Sequence, residues 1–205
     1  MGRIFLCRHG HPDWGGEPRY TGTTDTPLSD LGRRQADRLG ERLSTERLDA
    51  VYSTGLRRTD DTAAAIARQH GLSPAVVADL SEVSFGEWEG LTRREIEARW
   101  PEVFAARQRD AFHVRCPGGE NYDDLAARAL PAFRRLAGEH GDHAIAIVAH
   151  QATNRTILAD VLGLVPARIR SIAQLPAALN VIDNREHGLV VVTVNDTCHL
   201  DGLEG

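Results

Sequence analysis

Ala144-Ile145-Ala146-Ile147-Val148-Ala149 is apolar at every position. A strand that shows water neither face belongs in the middle of a parallel sheet with helices on both sides, which restricts the chain to an α/β fold. A second such run, Ile4-Phe5-Leu6-Cys7, stops abruptly at Arg8-His9-Gly10. In open α/β sheets the ligand crevice lies beyond the carboxyl ends of the strands, so reactive side chains followed by glycine mark the edge of a pocket. His9 is the candidate nucleophile, and His150 stands at the corresponding place after the first run.

The remaining elements follow from period and punctuation. Residues 11–30 are rich in Gly, Pro, Thr and Asp and lack periodicity, giving a long loop suited to walling a pocket. Ser29 caps a helix with Leu31, Gln35, Leu39 and Leu43 along one stripe and Arg33, Arg34, Asp37 and Arg38 towards water. A short strand over 49–53 is followed by a helix over 57–70 that stops at Gly71, and 75–78 forms a third strand. Residues 80–90 make an ordered loop. Thr92 caps a short helix reaching Trp100, and Pro101 opens another to about Arg109, so that 92–117 forms a helical cover over one end of the sheet.

A turn at Pro117-Gly118-Gly119-Glu120-Asn121 leads to a helix with Leu125, Ala129, Phe133 and Leu136 on one side. Pro131 falls inside it. An interior proline costs about 3 kcal/mol, so a kink or break is expected there. A helix over 152–162 ends at Gly163, and strands over 179–183 and 189–194 are joined by 184–188, a connection too short for a parallel crossover and therefore a hairpin. The sheet is mixed but mostly parallel.

Composition narrows the function. At 205 residues the chain suits one domain, and a formal net charge of −5 offers no global field for nucleic acid or acidic membranes. No run approaches the about 18 apolar residues that span a bilayer, and the N-terminal run is too short for a secretory signal. A cytoplasmic protein with no membrane or nucleic-acid partner is expected. Cys7, Cys116 and Cys198 are far apart and in no Cys-x-x-Cys arrangement, so neither a disulfide framework nor a zinc site is indicated. The histidines show no ligand spacing; no metal and no cofactor are expected.

Several segments together resemble the histidine phosphatase superfamily, in the branch with phosphoglycerate mutases and α-ribazole-phosphatase-like enzymes. They are Leu6-Cys7-Arg8-His9-Gly10, Pro27-Leu28-Ser29-Asp30-Leu31-Gly32 with Gln35-Ala36, Val51-Tyr52-Ser53 before Arg58 and Thr62-Ala63, Phe85-Gly86-Glu87-Trp88-Glu89-Gly90 behind Glu82, and Val148-Ala149-His150. The resemblance implies a three-layer α/β/α sandwich of the phosphoglycerate mutase type. It implies a metal-independent phosphomonoesterase acting on a small phosphate ester, with a phosphohistidine on His9. By position, Arg8 and Arg58 clamp the phosphoryl group, His150 stabilises its oxygens, and Glu82 is the proton donor and acceptor. The chemistry fits, because arginine's planar fork grips phosphate bidentately and a neutral imidazole can attack phosphorus.

Thr21 matches a position that contributes to substrate contacts in mutases, and Gly22 beside it is a further candidate contact. Gly15 stands where many relatives carry a phosphate-contacting asparagine. Gln151 replaces a frequent glycine, and could itself contact substrate. Trp14 and Tyr20 are further candidate contacts, while Arg57, Glu87 and Glu89 read as solvated or ordinary loop residues. Two alternatives stand beside the phosphatase. A mutase shares the phosphohistidine but usually carries a longer insertion after the Glu82 loop. A non-catalytic phospho-ligand-binding or scaffold protein would be expected to lose one of the five core residues. Oligomeric state is left open, a homodimer included.

Overall fold

The computed structural model describes residues 2–203. Six strands form one sheet in the order β3-β2-β4-β1-β5-β6. They are β1 (Gly2–Arg8), β2 (Ala50–Ser53), β3 (Ala75–Val76), β4 (Ala144–Ala149), β5 (Leu179–Arg185) and β6 (Gly188–Asp196). The first four run parallel, β5 runs antiparallel to β1, and β6 antiparallel to β5. The carboxyl ends of β1, β2 and β4 therefore open on one side.

The two faces of β1 explain the layering, because successive side chains point to opposite sides of a strand. Ile4 and Leu6 share a buried cluster with Ile145, Ile147, Leu125, Phe133, Leu136 and Leu158, on the side of α5 (Tyr122–Glu139) and α6 (Gln151–Val161). Phe5 and Cys7 join Val148, Leu39, Leu43 and Ile66 on the side of α1 (Asp30–Leu43) and α2 (Arg57–Ala67). This is the three-layer α/β/α arrangement with a mixed, mostly parallel sheet. Two further helices, α3 (Arg93–Arg99) and α4 (Pro101–Arg109), bury Trp88, Ile96, Phe104 and Cys116 in a small cluster of their own. Among the described residues no helix is long and apolar enough to cross a membrane.

Local signals govern most boundaries. The Ser29 hydroxyl accepts from the Gly32 amide at 3.0 Å, and both Thr92 and Asn121 build capping boxes with the carboxylates three residues on. Three expectations change. The helix carrying Pro131 is unbroken over Tyr122–Glu139. The proline is exposed, while Leu125, Ala129, Phe133 and Leu136 stay buried along the inner stripe on both sides of it. Tertiary packing thus holds the two halves together despite the missing N–H. The third strand is only Ala75–Val76, because a 3-10 turn begins at Ala78. The hairpin between β5 and β6 is tighter than expected, with Glu186 and His187 alone between the strands.

The turn after β1 relies on a close backbone approach. A Cβ on Gly10 would lie 2.4 Å from the Gly32 carbonyl oxygen, and one on Gly32 would lie 2.1 Å from the His11 carbonyl oxygen. Both neighbours are backbone and have little room to yield. Gly32→Ala is therefore expected to lower unfolding free energy by about 1–3 kcal/mol or more, the usual cost of overpacking, read as a lower urea midpoint. An unchanged midpoint would show that the approach is not tight.

Candidate active site

The register of β1 on β4 assembles the centre of the site. Arg8 pairs with Ala149, and the His9 amide donates to the Ala149 carbonyl at 3.1 Å. The residues that follow the two strands thus emerge side by side. Their rings meet edge to face, 5.1 Å between centroids.

Both histidines are buried, and their partners define their tautomers. His9 Nδ1 lies 2.6 Å from the Gly10 carbonyl oxygen. A carbonyl can only accept, so Nδ1 carries the hydrogen and Nε2 of the neutral ring keeps its lone pair. His150 is the reverse. Arg58 Nη2, which can only donate, lies 3.4 Å from His150 Nδ1, so Nε2 carries the hydrogen and donates to Thr54 Oγ1 at 2.9 Å.

Burial first, then the nearby Arg8 and Arg58 guanidiniums, holds His9 well below the usual imidazole range. His150 is lowered in the same way, by burial, Arg58 and His9. The sign of the resulting pH dependence follows. Unfolded histidines take up protons below about pH 6.5 whereas these two resist until lower pH, so their contribution to stability is full above that value and is lost as pH falls below it. The urea midpoint is expected to fall between about pH 7.5 and 5.5, and His150→Gln should show a shallower fall than wild type. Parallel profiles would remove His150 from this account.

Two arginines face the histidines. Arg58, in the first turn of α2, is 1% exposed; its Nη1 donates to the Thr24 carbonyl and its Nη2 to the Gly22 carbonyl, each at 2.7 Å. Arg8 donates from Nη1 to the Gln174 carbonyl at 2.6 Å. Burial pulls Arg8 down to about 10 with Glu82 opposing, and lowers Arg58 against Glu82, Asp25 and Glu89, so both stay cationic near neutrality. The buried Nε of each has no acceptor among the described residues. Glu82 is 8% exposed and accepts from the Val83 amide at 3.0 Å and, with either oxygen, from the Ala152 amide at 3.2 Å. Ala152 lies in the first turn of α6, where unpaired amides and the helix dipole favour negative charge.

Arg8, His9, Thr21, Gly22, Arg58, Glu82 and Gln151 all line one cavity of about 310 Å³, with Arg19, Tyr20, Phe85 and Tyr122 also in its wall. His150 does not line it; the ring is fully buried and presses on His9 and Arg58 from within. Trp14 does not line it either. Its indole N–H donates to Thr21 Oγ1 at 3.1 Å, so it backs the wall. Gly15 borders a neighbouring hollow.

Several positioning groups were not legible as such. Glu89, read as an ordinary loop acid, accepts from the Thr23 amide and the Phe85 amide at 3.0 Å and from the Thr24 hydroxyl at 2.7 Å. It therefore secures the loop whose carbonyls hold Arg58. The alternating acids and aromatics of 85–90 were the only hint. The Gln174 side chain is bound to Asn180 by Nε2 at 2.7 Å and Oε1 at 2.9 Å, and Asn180 Nδ2 donates to the Leu6 carbonyl at 2.7 Å. This buried network sets the carbonyl that orients Arg8.

Residues 4–197 match the family profile described as the histidine phosphatase superfamily, branch 1. The chain belongs to that superfamily. As a histidine phosphatase it is a phosphoric monoester hydrolase. It is 30% identical over 200 residues to phosphoserine phosphatase 1 of Hydrogenobacter thermophilus, covering 98% of this chain and 95% of that one. It is 33% identical over 169 residues to glucosyl-3-phosphoglycerate phosphatase of Mycolicibacterium vanbaalenii, covering 79% of this chain and 75% of the relative. Among solved structures, Bacillus stearothermophilus YhfR superposes with a TM-score of 0.91 at 28% identity, covering 98% of this histidine phosphatase and all of that chain.

Proposed function

We propose that this histidine phosphatase hydrolyses a small phosphorylated metabolite, without a metal, through a phosphohistidine on His9. One observation carries the reading. His9 presents an Nε2 lone pair in a cavity bordered by the Arg8 guanidinium, the buried Arg58 guanidinium and a buried carboxyl group.

The residues supply the steps in turn. Arg8 and Arg58 bind the phosphoryl oxygens and neutralise their charge, the task a metal ion performs in other phosphatases. His9 Nε2 attacks phosphorus as the bond to the ester oxygen breaks, and Glu82 passes a proton to that oxygen. Water then attacks the phosphohistidine; Glu82 takes the proton, the P–N bond breaks, and inorganic phosphate leaves. His150, buried behind His9 and Arg58 with its Nδ1 facing the Arg58 guanidinium, stabilises the phosphoryl oxygens through Arg58. Thr21, Gly22 and Gln151 line the ester's side of the cavity. The two relatives above are both phosphatases, which supports hydrolysis.

The test is phosphate release from a panel of phosphomonoesters, with and without chelator. Release unaffected by chelator is expected. Inhibition that added metal reverses would overturn metal independence, and isomerisation of a phosphorylated acid without phosphate release would overturn hydrolysis.

A further inference from the structure

Arg128, on α5, directs its whole guanidinium at the segment around Glu82 and at Glu120. Its Nε and Nη2 grip the two oxygens of Glu120, each at 2.9 Å. Its Nη1 donates to the Asp79 carbonyl at 2.8 Å and the Ser81 carbonyl at 2.9 Å, and Nη2 donates again to the Glu82 carbonyl at 2.8 Å. A guanidinium has five N–H groups in one plane, so every donor meets an acceptor and none is left for a ligand.

Glu120 completes the clasp from the turn that begins at Pro117. Its Oε2 also accepts from the Ser84 amide at 2.9 Å, and its own amide donates to the Ser84 carbonyl at 2.8 Å. Burial would raise the Glu120 carboxyl group, but the Arg128 fork and the Ser84 amide outweigh it and hold the group below its ordinary value. The pair stays ionic, and it fixes the chain on both sides of Glu82.

The peptide group after Glu82 is fixed as well. The Glu82 carbonyl and the Val83 amide belong to one planar trans unit and point opposite ways. Arg128 holds the carbonyl, while at the other end the Val83 amide donates to Glu82 Oε1 at 3.0 Å. Turning that plane would carry the amide off the carboxyl group. Glu82 lines the catalytic cavity and Arg128 does not.

Resting on the phosphatase reading above, we propose that Arg128 is a positioning residue for proton transfer: by fixing the peptide plane after Glu82, it aims that carboxyl group at the leaving oxygen and then at water. Glu120 orients the fork. Lysine is a poor substitute, because an ammonium has three donors and no planar fork to meet five acceptors.

A double-variant comparison tests this. Arg128→Met and Arg128→Lys are measured alone and combined with Glu82→Gln, using an alkyl phosphate and p-nitrophenyl phosphate. Alone, Arg128→Met should lower kcat for the alkyl ester about 10- to 100-fold with KM changed less than about twofold, since it displaces the proton donor without touching the ester. Arg128→Lys should recover part of that loss. With p-nitrophenyl phosphate the first nitrophenol should leave at the wild-type rate and only later turnovers should slow. In the Glu82→Gln background the same changes should cost less than about twofold more, because no proton donor remains to be aimed. Glu120→Gln, which loosens one arm of the fork, should give the same pattern at smaller amplitude, and it carries the comparison if Arg128→Met does not fold. Losses that multiply in the double variants, equal slowing of the first step for both esters, or full activity in a folded Arg128→Met protein overturn the positioning role and leave the phosphatase intact. Failure of the wild type to hydrolyse even p-nitrophenyl phosphate overturns the phosphatase reading, and the positioning role with it.

Discussion

His9→Ala is expected to abolish measurable phosphate release, a fall in kcat on the order of 10⁴-fold or more, while leaving the protein folded. The size follows from the role: alanine leaves no nitrogen to form the covalent intermediate, and the arginines can then only hold the ester. Folding should survive because the structural bonds at this position are backbone bonds. The His9 amide still donates to the Ala149 carbonyl, and the His9 carbonyl still accepts from the Ala177 amide, each at 3.0–3.1 Å. Among the described residues the ring itself is hydrogen-bonded only to the next carbonyl along the chain. A native far-ultraviolet dichroism spectrum with no turnover is the expected pair of results. Substantial turnover by a folded His9→Ala protein would remove the nucleophile assignment.

Glu82→Gln should separate the two proton transfers. The amide can still accept from the Ala152 and Val83 N–H groups, so the local structure is kept while the proton donor is lost. For alkyl phosphates, whose leaving oxygen needs a proton, turnover should fall about 10²–10⁴-fold. With p-nitrophenyl phosphate the phenolate departs unaided, so phosphoryl transfer to His9 should stay fast and only hydrolysis of the phosphohistidine should slow. The outcome is a burst of nitrophenol, stoichiometric with enzyme, followed by slow steady state. Equal slowing of the first step for both ester types, with no burst, would assign Glu82 a structural place at the start of α6 instead.

The contrast between these residues and their supports explains what can be read from one chain. His9 and His150 were legible because each ends an apolar run, and the strand-end rule turns that position into pocket geometry. Arg58 and Glu82 were placed through the family pattern. Their surroundings were not legible at all. The carbonyls of Gly22 and Thr24 that hold Arg58 lie more than thirty positions away in the chain, and nothing in a carbonyl's residue type announces its use. Gln174 is separated from Arg8 by most of the chain and acts through its backbone. Pro131 failed as a signal for a related reason: local cost was weighed without the packing of Phe133 and Leu136 that offsets it.

Trapping the intermediate tests the central claim most directly. Glu82→Gln protein mixed with p-nitrophenyl phosphate and quenched in alkali within the burst should carry one added phosphoryl group, mapped to the peptide containing His9, stable in base and lost in acid. The same treatment of His9→Ala should leave the protein unmodified. A nitrophenol burst with no phosphoryl group on His9, or with the group on another residue, would contradict a histidine-bound intermediate.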